Sequence, residues 1–261
     1  MSSSEQGVQR STLPAALASP LIREALLLWS VSFASIVAAS LLAPAHAKVV
    51  ATISFLYLPL FFARPARLRK GTKDLWWERF WNFDYAEFGV TLRNWRLDLK
   101  LALLLFLIVA PLYLAAYVGY AEAMKWLPTR WATYLSPYGG HWGFHPRLPA
   151  NFGLWAVDQL LVVAVPEEFF YRGYLQTRFR EAWPQGRTFL GARLGPAFFL
   201  AAVLFAVGHL AIFQVWRLGV FFPALLFGWL RERTGTVLGS SVLHALFNLY
   251  EMALRVSFYA A

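Results

Sequence analysis

The 261-residue sequence contains no cysteine and few charged side chains. The absence of cysteine excludes disulfide bonds, a thiol nucleophile and cysteine-ligated zinc. Charged residues make up 15% of the chain and hydrophobic residues 59%, whereas soluble domains carry roughly 25% charged residues. The composition therefore excludes an ordinary soluble domain. It predicts an all-α, polytopic transmembrane helical bundle with about seven spans, or roughly six to eight.

Acidic residues are scarcer than basic ones, and the formal net charge is +10. Such an excess could indicate nucleic-acid binding. The basic residues, however, cluster at the ends of apolar runs, where they determine membrane topology. The densest cluster, residues 64–73, is predicted to be cytoplasmic. We therefore expect the lipid bilayer, and no nucleic acid, to be the partner of these charges.

The apolar runs divide the chain into regions. Residues 1–20 are polar and predict a disordered cytoplasmic tail, which also places the N-terminus in the cytoplasm. Residues 21–120 are predicted to form the N-terminal transmembrane region, with spans at 21–43, 47–63 and 97–120. The first run ends in Ala–His–Ala, as a cleaved signal peptide can, but it is longer than a signal's apolar region. We therefore predict a retained helix.

Between the second and third spans, residues 74–96 are rich in Trp and Phe and carry alternating charges. This pattern predicts an aromatic helix lying in the membrane interface. The alternative is a loop packed on the cytoplasmic face of the protein.

Residues 121–150 are predicted to form an ordered non-cytoplasmic loop. They include His141 and His145, whose spacing on a helix could indicate a metal site, but the surrounding Gly and Pro residues break any helix there. The region 151–258 is predicted to be the functional transmembrane core. Its predicted spans are 151–171, 194–215, 218–230 and 236–256; the third of these is short and could be tilted or combined differently.

The first polar motif of this core contains two adjacent carboxylates, Glu167 and Glu168, and a nearby Arg172. Ionisable groups at membrane depth are costly and usually functional. Residues four apart share a helix face, so Glu168 and Arg172 are predicted to form an ion pair. Glu167 lies about 100° away and is free to act as a general base. The alternative is that both carboxylates only hold helices together.

The second motif contains one histidine, His209, in an otherwise apolar helix, one turn after Phe205. Gly208 beside it permits close approach of another helix. A lone histidine of this kind is more often structural than catalytic. Simple counting also places His209 further from the cytoplasm than Glu167. Helix tilt, or continuation of the fourth span to about residue 177, would close that gap.

The third motif is His244 with Asn248, which share one face of the last span. Asn248 could fix the tautomer of the histidine or donate a hydrogen bond to a developing oxyanion. Both residues could instead make interhelical hydrogen bonds only. If the three motifs converge, they supply a base, a group that orients water and oxyanion donors, which are the groups needed to hydrolyse an amide.

Together the motifs EExxxR at 167–172, FxxxH at 205–209 and HxxxN at 244–248 resemble the CPBP family of intramembrane proteases. That family includes the type II CAAX prenyl endopeptidases and the bacterial Abi proteins, and the resemblance covers about residues 150–257. It implies that Glu167 and His209 activate water and that His244 and Asn248 hold the oxyanion. Glu168 and Arg172 match the supporting positions.

The resemblance further implies a glutamic-type hydrolase that needs no cofactor and no metal, although a metal-dependent variant stays open. The expected substrate is a membrane-embedded or lipid-anchored protein or peptide, cut near its C-terminus, in a bacterial inner membrane. Prenylated CAAX proteins, bacteriocins and the sorting signals cut by the myxosortase-like branch are all possible substrates. The alternatives are a noncatalytic scaffold or bacteriocin-immunity protein of the same fold, and a proton-coupled transporter.

Overall fold

The computed structural model describes residues 18–63, 78, 81, 83–136 and 141–260. Most of the predicted tail and the whole basic cluster at 64–73 lie outside these residues. The predicted all-α fold is confirmed. The principal helices outside the central one are α1 (Pro20–Leu42), α2 (Ala47–Phe62), α3 (Trp95–Met124), α4 (Thr129–Leu135), α6 (Pro196–Gly208), α7 (Phe221–Thr234) and α8 (Leu238–Phe258).

The central helix, α5, runs without a break through residues 152–182. It alternates between α-helical and π-helical turns, in the order Phe152–Asp158 (α), Gln159–Ala164 (π), Val165–Glu168 (α), Phe169–Leu175 (π) and Gln176–Ala182 (α). Wider π turns are frequent at functional sites. Because α5 ends only at Ala182, the predicted continuation of this span to about residue 177 is present.

Pro166 accounts for part of this irregularity. Proline has no backbone N–H, so the carbonyl four residues earlier, Val162 O, loses its usual donor. The hydroxyl of Thr52 on α2 donates to that carbonyl at 2.9 Å. The neighbouring helix thus compensates for the opened turn, as membrane helices require.

Three helices among the described residues are long and apolar enough to cross a membrane: Pro20–Leu42, Pro44–Phe62 and Trp95–Met124. The last of the predicted spans forms α8, which carries several polar residues. The spans predicted at 194–215 and 218–230 correspond to α6 and α7. The 3₁₀ turns His209–Ile212 and Val215–Val220 separate these two α-helices. The number of spans stays a prediction.

Helix α5 lies at the centre of the bundle. It contacts α1, α2, α6, α7 and α8, while α3 packs along α8. Two short antiparallel ribbons accompany the helices: β1 (His141–Trp142) pairs with β4 (Tyr259–Ala260), and β2 (Arg187–Phe189) pairs with β3 (Ala192–Leu194). The first ribbon holds the predicted outer loop against the end of α8.

The aromatic segment 74–96 agrees with its prediction only in part. Residues 78 and 81 are helical, whereas 83–94 form turns; residues 74–77, 79, 80 and 82 lie outside the described part. The turns are held against the core, because Val237 N donates to Gly89 O at 2.9 Å and Phe88 is 2% exposed. This part of the segment thus follows the alternative prediction, a loop packed on the protein.

Candidate active site

Three side chains from three helices converge in the middle of the bundle. Glu167 Oε2 lies 4.0 Å from His209 Nε2 and 3.9 Å from His244 Nε2. The side chains of Glu167 and His209 are each 18% exposed, but Glu167 Oε2, the oxygen between the two rings, is itself buried. The three motifs therefore do meet, with the carboxylate between two imidazole rings.

The tautomer of His209 follows from its other nitrogen. Nδ1 lies 2.8 Å from the carbonyl oxygen of Phe205. A carbonyl can only accept, so Nδ1 carries a proton and Nε2 faces Glu167; when the ring is neutral, Nε2 presents a lone pair there. This local hydrogen bond becomes possible because α6 ends at Gly208 and His209 begins a 3₁₀ turn.

The predicted ion pair of Glu168 and Arg172 is present. Arg172 Nη1 donates to Glu168 Oε1 at 3.1 Å, and the side chains are 1% and 0% exposed. A second donor on Arg172, Nη2, reaches Ala224 O at 3.2 Å. The guanidinium also lies over the Phe205 ring, 4.1 Å from its centroid, so its burial is compensated on several sides.

The four-residue spacing predicts only that Glu168 pairs with Arg172 on its own helix. In the structure Glu168 also contacts a second helix. Its Oε1 also lies 2.9 Å from His244 Nδ1. Because the carboxylate accepts, Nδ1 of His244 carries a proton, and Nε2 points toward Glu167. The ring is further fixed by stacking on Phe227, with centroids 4.9 Å apart and planes 12° apart.

Asn248 does not fix the tautomer of His244, which was one of its two predicted roles; Glu168 does so. Instead Asn248 Nδ2 donates to Gln159 Oε1 at 2.9 Å. Gln159 Nε2 in turn donates to Asp158 Oδ2 at 3.1 Å, and Asp158 is paired with Lys48. A continuous polar chain thus runs from α2 through the start of the first π turn to α8.

Gln159 is a candidate site residue that the motifs do not reveal. Its donation to Asp158 orients the amide so that the oxygen faces Asn248. One feature of the sequence could have identified Gln159. It is a polar amide in a mostly apolar run, and a polar side chain at membrane depth is costly. In a regular α-helix Gln159 would lie about 80° from Glu167, and the π turn Gln159–Ala164 changes that angle.

Gln159→Leu is expected to lower kcat by about tenfold, less than the roughly 100-fold or greater effect of deleting an oxyanion donor itself. KM should change little, because the substitution leaves Asn248 present but misoriented. Gln159→Glu keeps an acceptor toward Asn248 and is expected to retain more activity. Kinetics on both variants, with thermal unfolding as a check of folding, test this; an unchanged kcat in Gln159→Leu would contradict the role.

Two further features shape the site. A Cβ at Gly208 would lie 2.3 Å from the hydroxyl of Tyr171, so the predicted close approach at this glycine is confirmed. Arg217, in the 3₁₀ turn Val215–Val220, is a second residue that the motifs miss; its positive charge interacts with both Glu167 and His209.

Within the described ranges, no three His, Asp or Glu side chains are grouped so as to hold a metal ion.

Comparison with protein families assigns this region. Residues 149–250 match the family model described as type II CAAX prenyl endopeptidase Rce1-like. The match includes all six candidate site residues. No curated protein and no solved structure matches the chain.

Proposed function

Because residues 149–250 match the family model of the type II CAAX prenyl endopeptidases, we propose that this integral membrane protein is a glutamic-type intramembrane endopeptidase. It hydrolyses a peptide bond near the C-terminus of a membrane-embedded or lipid-anchored protein or peptide. Four residues of the three motifs carry the reaction, namely Glu167, His209, His244 and Asn248, and Glu168 and Arg172 support them.

The observation that carries the proposal is the gap between Glu167 and the two histidines. Distances of 4.0 and 3.9 Å are too long for direct hydrogen bonds. They fit polar groups that share a bridging water. Both Glu167 and the unprotonated Nε2 of His209 are acceptors, so together they can accept both hydrogens of such a water.

In the first step the water oxygen attacks the carbonyl carbon of the scissile peptide. Its proton passes to Glu167, the C–O bond forms, and the carbonyl electron pair moves to the oxygen. His209 holds the second hydrogen of the water and directs the lone pair at the substrate. Since neither residue bonds covalently to the substrate, no acyl-enzyme forms.

The oxyanion that develops needs donors. With a proton on each nitrogen, His244 donates through Nε2 while Glu168 holds Nδ1, and the second N–H of Asn248 donates beside it. Glu167 then returns its proton to the departing amine nitrogen and the C–N bond breaks. The products are a carboxylic acid, which ionises, and a free amine.

The site has no covalent nucleophile and needs no bound cofactor in this scheme. Glu167 and His209 lie roughly halfway along α5 and at the end of α6, so the scissile bond must enter the bundle. An extended segment tethered to the bilayer meets that requirement, because its anchor keeps it at membrane depth. We further propose a bacterial inner membrane as the location and a cytoplasmic N-terminus.

The test compares the C-termini of membrane proteins in cells that contain the protein with those in cells that lack it. We expect one or a few membrane proteins to lose a C-terminal segment only in cells that contain the proposed peptidase.

The purified peptidase should then cut a peptide that spans the identified bond as rapidly with a metal chelator as without the chelator. Loss of cleavage in chelator, restored by one added metal, would replace the glutamic mechanism with a metal-dependent one. Identical C-termini in both cells would contradict the proposed function.

A further inference from the structure

The β2–β3 hairpin joins the two helices that carry Glu167 and His209. Its strands pair antiparallel, with Arg187 opposite Leu194 and Phe189 opposite Ala192. Only Leu190 and Gly191 remain between the strands, so the turn is a two-residue one. The hairpin therefore sets how the end of α5 is joined to the start of α6.

The tip of the hairpin is apolar and exposed. Phe189 is 58% exposed and Leu190 69% exposed. Leu190 has φ 47° and Gly191 has φ 76°, and turns with two positive φ angles favour Asn–Gly. A leucine is disfavoured in this conformation, and its exposed side chain adds little to the core, so the fold alone does not account for it.

The tip is nevertheless fixed in place. Trp229 Nε1 on α7 donates to Phe189 O at 3.2 Å. The Arg233 side chain packs against the turn, where a Cβ on Gly191 would lie 2.7 Å from Arg233 Nε. The hairpin is thus held against α7 along its length rather than projecting as a free loop.

These contacts also place the tip relative to the helices. The Phe198 ring packs where a Cβ on Gly228 would lie 2.8 Å away, so the first turn of α6 is level with this part of α7. Trp229, the next residue, holds Phe189. The tip therefore lies near the first turn of α6, where Phe199 is also exposed, at 48%.

Three exposed arginines frame the tip: Arg187, Arg193 and Arg233. Guanidinium groups bind phosphate through paired N–H donors. Apolar side chains flanked by basic ones are the pattern of segments that lie at a membrane surface and favour anionic lipids. The charge around the tip and its exposed apolar side chains therefore indicate the same partner.

We propose that the β2–β3 hairpin is a lipid-binding element, in which Phe189 and Leu190 enter the boundary between headgroups and acyl chains while the three arginines bind the phosphates of anionic lipids. The partner is the leaflet on the basic side of the protein. The hairpin thereby anchors the link between α5 and α6 to the bilayer. This does not depend on the proposed catalytic activity.

Because the chain has no cysteine, one introduced cysteine reports the depth of the tip. Leu190→Cys, labelled with an environment-sensitive fluorophore in nanodiscs, is expected to be quenched by nitroxide-labelled lipid roughly twofold more than Pro184→Cys. Pro184 is an exposed residue in the loop before the hairpin. Quenching should be stronger in phosphatidylglycerol than in phosphatidylcholine.

A second pair of variants separates lipid binding from folding. Adding Arg187→Gln and Arg193→Gln to Leu190→Cys should reduce the difference between the two lipids, because two of the three phosphate ligands are lost. Leu190→Asn suits the turn and is expected to leave thermal stability in detergent unchanged or higher. Equal quenching of the labels at 190 and 184 in both lipids would overturn the proposal, whatever the activity of the protein.

Discussion

Replacing Glu167 by glutamine is expected to lower kcat for peptide hydrolysis by roughly 100- to 10,000-fold, the usual contribution of a positioned general base. Glutamine keeps the shape of the side chain and its place between His209 and His244. It cannot take the proton of the attacking water, so the first step loses its base while the oxyanion donors remain. Single-turnover rates on a membrane-anchored peptide measure the loss.

Glu24→Gln is the matched control for that variant. Glu24 is also a carboxylate on a membrane helix, and it accepts a hydrogen bond from Tyr174 at 3.0 Å. Its amide analogue can still accept that bond, so near wild-type turnover is expected. If Glu167→Gln hydrolysed the substrate at the wild-type rate, the glutamic mechanism would be wrong. If that variant restored a cellular phenotype without cleaving anything, a noncatalytic scaffold would be favoured instead.

The motifs themselves were predictable because each follows from a local spacing, whereas their convergence was a condition of the hypothesis. Glu168 and Arg172 lie one turn apart, and their pairing needs only the geometry of a helix. His209 and His244 are ionisable groups in apolar helices, where burial without a partner is costly. Three such helices in one small bundle lower that cost by placing their polar groups together, as the structure has them.

The parts that sequence did not predict depend on departures from regular geometry. The spacing of Gln159 and Glu167 is misleading because the π turn Gln159–Ala164 changes the angle between these two residues along α5. The contact of Glu168 with His244 joins residues 76 positions apart, and no local pattern encodes it. The turns at 83–94 form where aromatic composition favoured a helix, since tertiary contacts such as that of Val237 with Gly89 decide the backbone there.

Replacing Glu168 by methionine is expected to destabilise the protein by about 3–5 kcal/mol, the cost of leaving a buried charge without its partner. Arg172 is 1% exposed, and among the described residues Ala224 O would remain as its hydrogen-bond acceptor. His244 would lose the acceptor of its Nδ1 proton. Unfolding in detergent measures the stability, and hydrolysis measured below the unfolding transition gives the activity of the folded fraction.

The double variant Glu168→Met with Arg172→Met separates the two roles of Glu168. Removing both charges replaces the ion pair by apolar side chains, which is often neutral or stabilising, so most of the lost stability should return. Activity should not return, because His244 still has no acceptor at Nδ1 and its ring can rotate away from the oxyanion. If hydrolysis recovered together with stability, Glu168 would serve only to neutralise Arg172. If only stability recovered, the carboxylate is needed to position His244.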